Sequence, residues 1–193
     1  MGPALRVAFV TGATPDKWAR AWRGFNRGPL DLVPVSQSDQ ERVVREGTVD
    51  MAIVRLPVDG SDMHCVRLYE EHVVAVAARD HFLAAADGNV TTADLAGEQL
   101  VRPHVSGWAP DAEQMPWPPM SEQEAVATVA AGTGVALMPM SVARLYQRKD
   151  VVQRTVSDLS PTEVGLIWLV TRDDEVTQTF VGVTRGRTAN SSR

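Results

Sequence analysis

The sequence has a single cysteine, Cys65, so an internal disulfide is excluded, as suits a reducing compartment. No apolar run approaches the roughly 18 residues needed to cross a bilayer. The opening, Met1 to Arg6, lacks the basic-then-apolar pattern of a signal peptide. A cytoplasmic location without membrane contact is expected. The net charge is −5, and the body of the chain carries no cationic cluster. A duplex presents a dense phosphate array and its binders normally offer a basic face, so direct contact with nucleic acid is not expected. The one gathering of cations is Arg185, Arg187 and Arg193, among Gly186, Thr188, Asn190, Ser191 and Ser192. That composition predicts a flexible basic tail over 185–193.

Catalytic signatures are equally scarce. His64, His72, His81 and His104 do not fall at H-x-x-x-H or H-E-x-x-H spacing, and one cysteine cannot complete a zinc site. There is no nucleophile elbow, phosphate-binding loop or dinucleotide fingerprint. Gly132-Thr133-Gly134 is too short for such a loop and follows a helix instead of opening one. Glu70 and Glu71 are neighbours on a strand-like segment, where they point to opposite faces. His64 and Cys65 diverge for the same reason, which leaves Cys65 buried or idle. No enzyme activity, metal or cofactor is expected.

What is present is an ordinary globular composition, 44% hydrophobic and 22% charged over 193 residues, enough for one domain or two small lobes. Leu5 to Val10 is almost wholly apolar, as in a strand buried on both faces. Thr14 as cap and Pro15 at the first position predict a helix, with Trp18, Ala21, Trp22 and Phe25 on its inner face. Leu30 to Val35 is a second strand, whose Pro34 suits a sheet edge. Ser38 and Glu41 have capping-box spacing, Gly47 supplies a stop, and Asp50 to Val54 is a third strand. This β-α-β-α-β order predicts a parallel sheet with right-handed crossovers.

Further on, Val66 to Tyr69 and His72 to Ala78 read as strands, Thr91 to Leu95 as a short helix, and Leu100 to Arg102 as a short strand. Prolines at 103, 110, 116, 118 and 119 forbid a regular element from Pro103 to Met120. Ser121 and Glu124 form a second capping-box pattern, followed by a helix to Gly132, a strand at Val135 to Met138 and a helix through Leu145 and Tyr146. Strands at Val151 to Val156 and Val164 to Val170 and a helix at Glu175 to Val183 complete the pattern.

In open α/β sheets ligands bind beyond the carboxyl ends of the parallel strands. Those ends carry Thr11 and Gly12, then Ser36, Gln37 and Ser38, then Arg55. Two of these loops lead into helix N-termini, which favour anions, so a small acidic ligand is expected. Each residue has a second reading. Ser38 is a helix cap or a ligand contact, and Thr11 with Gly12 is a tight turn or a contact. Arg55 either faces the ligand or pairs with Asp59. Gln37 has no local structural duty.

The order of these segments carries a resemblance. LRVAFV-TG followed by LVPVSQSDQERVVREGTVDMAIVRLP is similar to the start of the effector-binding domain of LysR-type transcriptional regulators. VRLYEEHVVAVAARDHFLAAA resembles that family's crossover, and EQEAVATVAAGTGVALMPMSVARLY its helix, glycine turn and strand. The similarity runs roughly from Leu5 to Val183. It implies an α/β fold of the type 2 periplasmic-binding-protein kind, with two Rossmann-like lobes, two crossover strands and an effector in a central cleft. Lobe I would be 1–76 plus 160–184 and lobe II 77–159. Effector contacts would fall on Thr11, Ser36, Gln37 and Arg55, joined by Arg102, Pro103, His104, Thr133 and Gly134 from lobe II.

The resemblance also implies dimers, either of this chain or with a full-length regulator. A complete regulator has an N-terminal winged helix-turn-helix, which is not expected here because the first strand begins at Leu5. The expectation is therefore a sensing domain for a small anionic metabolite, working through a partner. The alternatives are a fragment of a DNA-binding regulator and a dimerisation partner that has lost its ligand.

Overall fold

The computed structural model describes residues 4–25, 28–102 and 104–186, so Pro103 and the tail from Arg187 lie outside the described residues. The chain divides into two units. One runs to Glu70 and resumes at Glu163, and the other spans Glu71–Thr162. The sequence reading put these divisions at 76 and 160.

The first unit is built on β1 (Leu5–Val10). Its neighbours are β2 (Leu30–Val35) and β3 (Met51–Arg55), both parallel to it, with Val7 opposite Leu32 on one side and Met51 on the other. That is the expected β-α-β-α-β arrangement. β8 (Thr162–Leu169) returns antiparallel beside β3, and β4 (Met63–Glu71) closes the far edge, giving the order β2-β1-β3-β8-β4. Pro34 lies in an edge strand, where its missing N–H breaks no ladder.

The two-residue period of a strand sorts the core into two layers. Val7, Met51, Ile53 and Leu166 pack with Trp18 and Trp22 of α1 (Asp16–Trp22) and Phe180 of α5 (Glu175–Thr184). Trp22 and Phe180 meet edge to face, with centroids 5.7 Å apart. Ala8, Ala52, Val54 and Ile167 face the other way, onto Val43 and Val44 of α2 (Arg42–Arg45). Thr14 does not cap α1. Pro15 occupies the cap position instead, one place earlier in the helix than expected, and its carbonyl accepts from Trp18 and Ala19 N–H. Asp50 precedes β3 rather than starting it. Its buried carboxylate accepts from Arg6 N–H at 2.8 Å and pairs with Arg172 at 2.7 Å.

The second unit centres on β5 (Val73–Ala78), buried along its whole length, with β6 (Ala136–Pro139) and β7 (Val151–Thr155) antiparallel on either side. Its sheet also has two cores. Val73, Ala75, Leu83, Leu95 and Leu137 form one; the other joins Val74, Val76 and Met138 to α3 (Glu122–Ala130) and α4 (Met140–Leu145). The Ser121–Glu124 capping box forms as expected. The expected helix at Thr91 to Leu95 is a single 3-10 turn over Ala93–Leu95. The strand expected at Leu100 to Arg102 contracts to one bridge between Leu100 and Val135, because the chain leaves the sheet directly afterwards.

Candidate functional site

Because β1, β2 and β3 run parallel, their carboxyl ends bring Thr11 and Gly12, Ser36 to Ser38, and Arg55 to one rim of the first unit. After β1 the chain turns sharply, with Ala13 N–H returning to Val10 carbonyl and Gly12 at φ 88°. Only glycine adopts that backbone without strain. Thr11 is half-buried beside it.

After β2 the chain enters a 3-10 turn, Gln37–Asp39, with Ser36 at its N-cap position but making no capping bond. The capping box expected between Ser38 and Glu41 does not form. Ser38 Oγ instead lies 2.8 Å from Ser36 Oγ, and Ser36 Oγ donates to Asp39 at 2.8 Å. Glu41 is drawn away to Arg45 at 3.0 Å and to Asp59 N–H at 3.2 Å. Hydrogen bonds from Arg42 and then Ser36 hold the Asp39 carboxyl below its ordinary range. Gln37 is half-buried and, among the described residues, has no hydrogen-bond partner for its side chain.

Helix dipoles contribute less here than the sequence suggested. α1 has seven residues and begins beyond the Gly12 turn, and α2 has only four. The fixed positive charge is Arg55, 4% exposed at the end of β3. Asp59 pairs with Arg45 at 3.4 Å, which takes the role the sequence offered to Arg55. Gln40 was missed altogether. It is buried, and its carboxamide donates to Arg55 carbonyl at 2.8 Å and accepts from Arg55 N–H at 2.9 Å. A lone glutamine between an aspartate and a glutamate gives no local sign of this duty.

In the second unit, Arg102 is committed to the start of α3, donating to Met120 carbonyl at 3.1 Å and pairing with Glu122 at 3.0 Å. Pro103 lies outside the described residues. His104 is buried beside the proline-rich loop, with Nδ1 2.9 Å from Ser106 Oγ. Burial, and then the charge of Arg102, push its pKa below the usual imidazole value. Thr133 and Gly134 form a turn against Gln99. A Cβ on Gly134 would stand 2.1 Å from Gln99 carbonyl oxygen, so close backbone approach by itself requires this glycine.

Cys65 is exposed on β4 rather than buried, yet partial desolvation raises its thiol pKa. His64 turns to Trp168, with centroids 5.2 Å apart, and lies 3.8 Å from Asp173. Among the described residues no cluster of three or more His, Cys, Asp or Glu is placed to hold a metal ion, and no helix is long and apolar enough to cross a membrane.

Set against known proteins, residues 4–189 match the family described as the LysR substrate binding domain. The chain is 31% identical over 170 residues to the HTH-type transcriptional regulator CatR of Pseudomonas putida, covering 76% of this chain and 54% of that protein. It thus spans about half of that relative's length. It is 25% identical over 204 aligned positions to the Hca operon transcriptional activator HcaR of Escherichia coli K12, covering 96% of this chain and 68% of the activator. Among solved structures, the BenM effector-binding domain with its effector benzoate superposes with a TM-score of 0.74 at 18% identity, over 94% of this chain and 90% of that one. That likeness places the mixed α/β architecture with two sheets in the type 2 periplasmic-binding-protein class.

Proposed function

From the premise that the chain belongs to the LysR substrate-binding domain family, we propose that it senses a small acidic molecule and reports it to a transcriptional regulator through contacts with a second protein chain. The observation that carries this reading is the rim of the first unit. Three parallel strands end together there, a buried guanidinium stands at the end of β3, and the Gln37 carboxamide is unengaged among the described residues. Thr11, Gly12, Ser36 and Ser38 complete the contacts of this rim. Arg102 and His104 have structural engagements of their own, with Glu122 and Ser106. The benzoate of the BenM domain is an aromatic carboxylate, in keeping with an acid here. A ligand moves such a domain between states only by binding one state better than the other.

The test is a thermal-shift screen of the purified chain against aromatic and aliphatic carboxylates, each matched with its uncharged amide. A ligand at a hundredfold over its Kd adds about 2.7 kcal/mol. Each kcal/mol moves the midpoint of a chain of this size by roughly 2–4 °C. The expected result is a rise of several degrees for one acid, absent for its amide and lost on Gln37→Ala. A flat response across the panel would overturn the sensing reading.

A further inference from the structure

Three side chains that follow β2 form a chain of hydrogen bonds whose direction is fixed by counting protons. Asp39 is its inner end. Arg42 holds one carboxylate oxygen, Oδ1, from Nη2 at 2.8 Å and from Nε at 3.2 Å, and Ser36 Oγ reaches the other, Oδ2, at 2.8 Å. The lowered pKa keeps this carboxyl ionised at neutral pH, so it only accepts. Ser36 therefore commits its one hydroxyl proton to Asp39. Ser38 Oγ lies 2.8 Å from Ser36 Oγ. Ser36 has no second proton to give, so this bond is donated by Ser38. Both hydroxyl protons are thus directed inward, from Ser38 to Ser36 to Asp39.

A hydroxyl oxygen has two lone pairs. Ser36 keeps one of its own and Ser38 keeps both, and the two residues are exposed at the end of the strand. Toward a ligand these serines are therefore acceptors alone. A carboxylate also only accepts, so it gains nothing from them unless the chain is broken. The other polar side chains of the rim differ: the Arg55 guanidinium only donates, and the Gln37 carboxamide does either. One rim thus offers donors for an acid group and, beside them, a pair of acceptors held in that role by Asp39.

We propose that the acid sensed at this rim also carries a hydroxyl or amino group, which donates its proton to Ser36 or Ser38, and that Asp39 is the positioning residue that sets this requirement. Resting on the acid-sensing reading, the requirement narrows the effector to hydroxy acids and amino acids. An ether oxygen in the same place sets lone pairs against lone pairs and is rejected.

Isothermal titration tests this with two series of probes: benzoate, the three hydroxybenzoates and the three methoxybenzoates, then propionate, lactate, alanine and 2-methoxypropionate. At least one hydroxy or amino acid is expected to bind about tenfold more tightly than its methoxy and unsubstituted counterparts, the worth of one hydrogen bond. Lactate against alanine separates O–H from N–H as the donor. Asp39→Asn reverses the chain. Its carbonyl oxygen stays toward Arg42, its N–H donates to Ser36, and a serine proton is released to the ligand. The preference over the methoxy acid should then collapse, mainly through tighter binding of the ether. Ser36→Ala frees the Ser38 proton and should do the same, whereas Ser36→Thr keeps both the chain and the preference. A pocket that discriminates only by size would hold one ratio in every variant. If no acid of either series binds, the sensing reading is wrong and the donor requirement falls with it. If acids bind but the unsubstituted or methoxy members match the hydroxy and amino ones, the sensing reading stands and the donor requirement alone falls. It falls as well if the preference survives unchanged in Asp39→Asn or in Ser36→Ala, each checked for folding by its thermal midpoint.

Discussion

Gln40 does at the side-chain level what a neighbouring strand does elsewhere in the sheet. The register of β3 with β1 ends at Ile53 opposite Phe9, so the Arg55 peptide has lost that neighbour. The carboxamide of Gln40 replaces it, donating to the Arg55 carbonyl and accepting from the Arg55 N–H. The clamp fixes the backbone that carries the buried guanidinium of the rim. Buried backbone groups left without partners cost about 1–3 kcal/mol each. Gln40→Leu keeps the volume but removes both bonds, so a loss of about 2–4 kcal/mol is expected. Urea denaturation checks this: the midpoint should fall while the slope stays constant. An unchanged midpoint would show that water or another side chain substitutes for the amide.

At the scale of elements, the strands were legible wherever both faces are buried, because a run such as Leu5 to Val10 admits little else. Turn chemistry was legible only where the surroundings agreed with it. The pattern S-x-x-E occurs at Ser121 and at Ser38, yet only Ser121 forms the box. Near Ser38, Ser36 already holds the cap position, and Glu41 is claimed by Arg45 and by the Asp59 backbone. Asp59 is far along the chain from Glu41, and no local rule sees it. The commitments of Arg102 to Glu122 and of Gln40 to Arg55 were hidden for the same reason, whereas Gln37 could be singled out because local structure made no use of it. Gly132 and Gly134 show the distinction within one turn. Both have positive φ, 88° and 61°, but only Gly134 is pressed against Gln99. Gly132→Ala therefore costs only the left-handed backbone, about 1–2 kcal/mol. Gly134→Ala adds a clash with backbone and should cost well beyond that, about 3 kcal/mol or more. Thermal midpoints of the two variants give the comparison, and equal losses would show that the Gln99 segment yields freely.

For the whole molecule, charge is the deciding property. The net charge is −5, and several of the arginines are paired with carboxylates. Arg42 pairs with Asp39 and Glu46, Arg45 with Glu41, Arg148 with Asp150, and Arg172 with Asp50. A phosphate backbone approaching any of these cations also meets its acidic partner. Sequence-independent DNA binders reach Kd values of about 10⁻⁴–10⁻⁶ M at physiological salt, and tighter at low salt as counterions are released. This chain is therefore expected to leave the fluorescence anisotropy of a labelled duplex unchanged at about 10 μM protein in 50 mM salt, a condition under which even weak binders register. The sharpest contrary outcome would be binding whose logarithm falls with that of the salt concentration at a slope near −3. At about −0.9 per neutralised phosphate, that slope would mean about three phosphate contacts, and its loss on replacing Arg185, Arg187 and Arg193 by alanine would assign them to the tail.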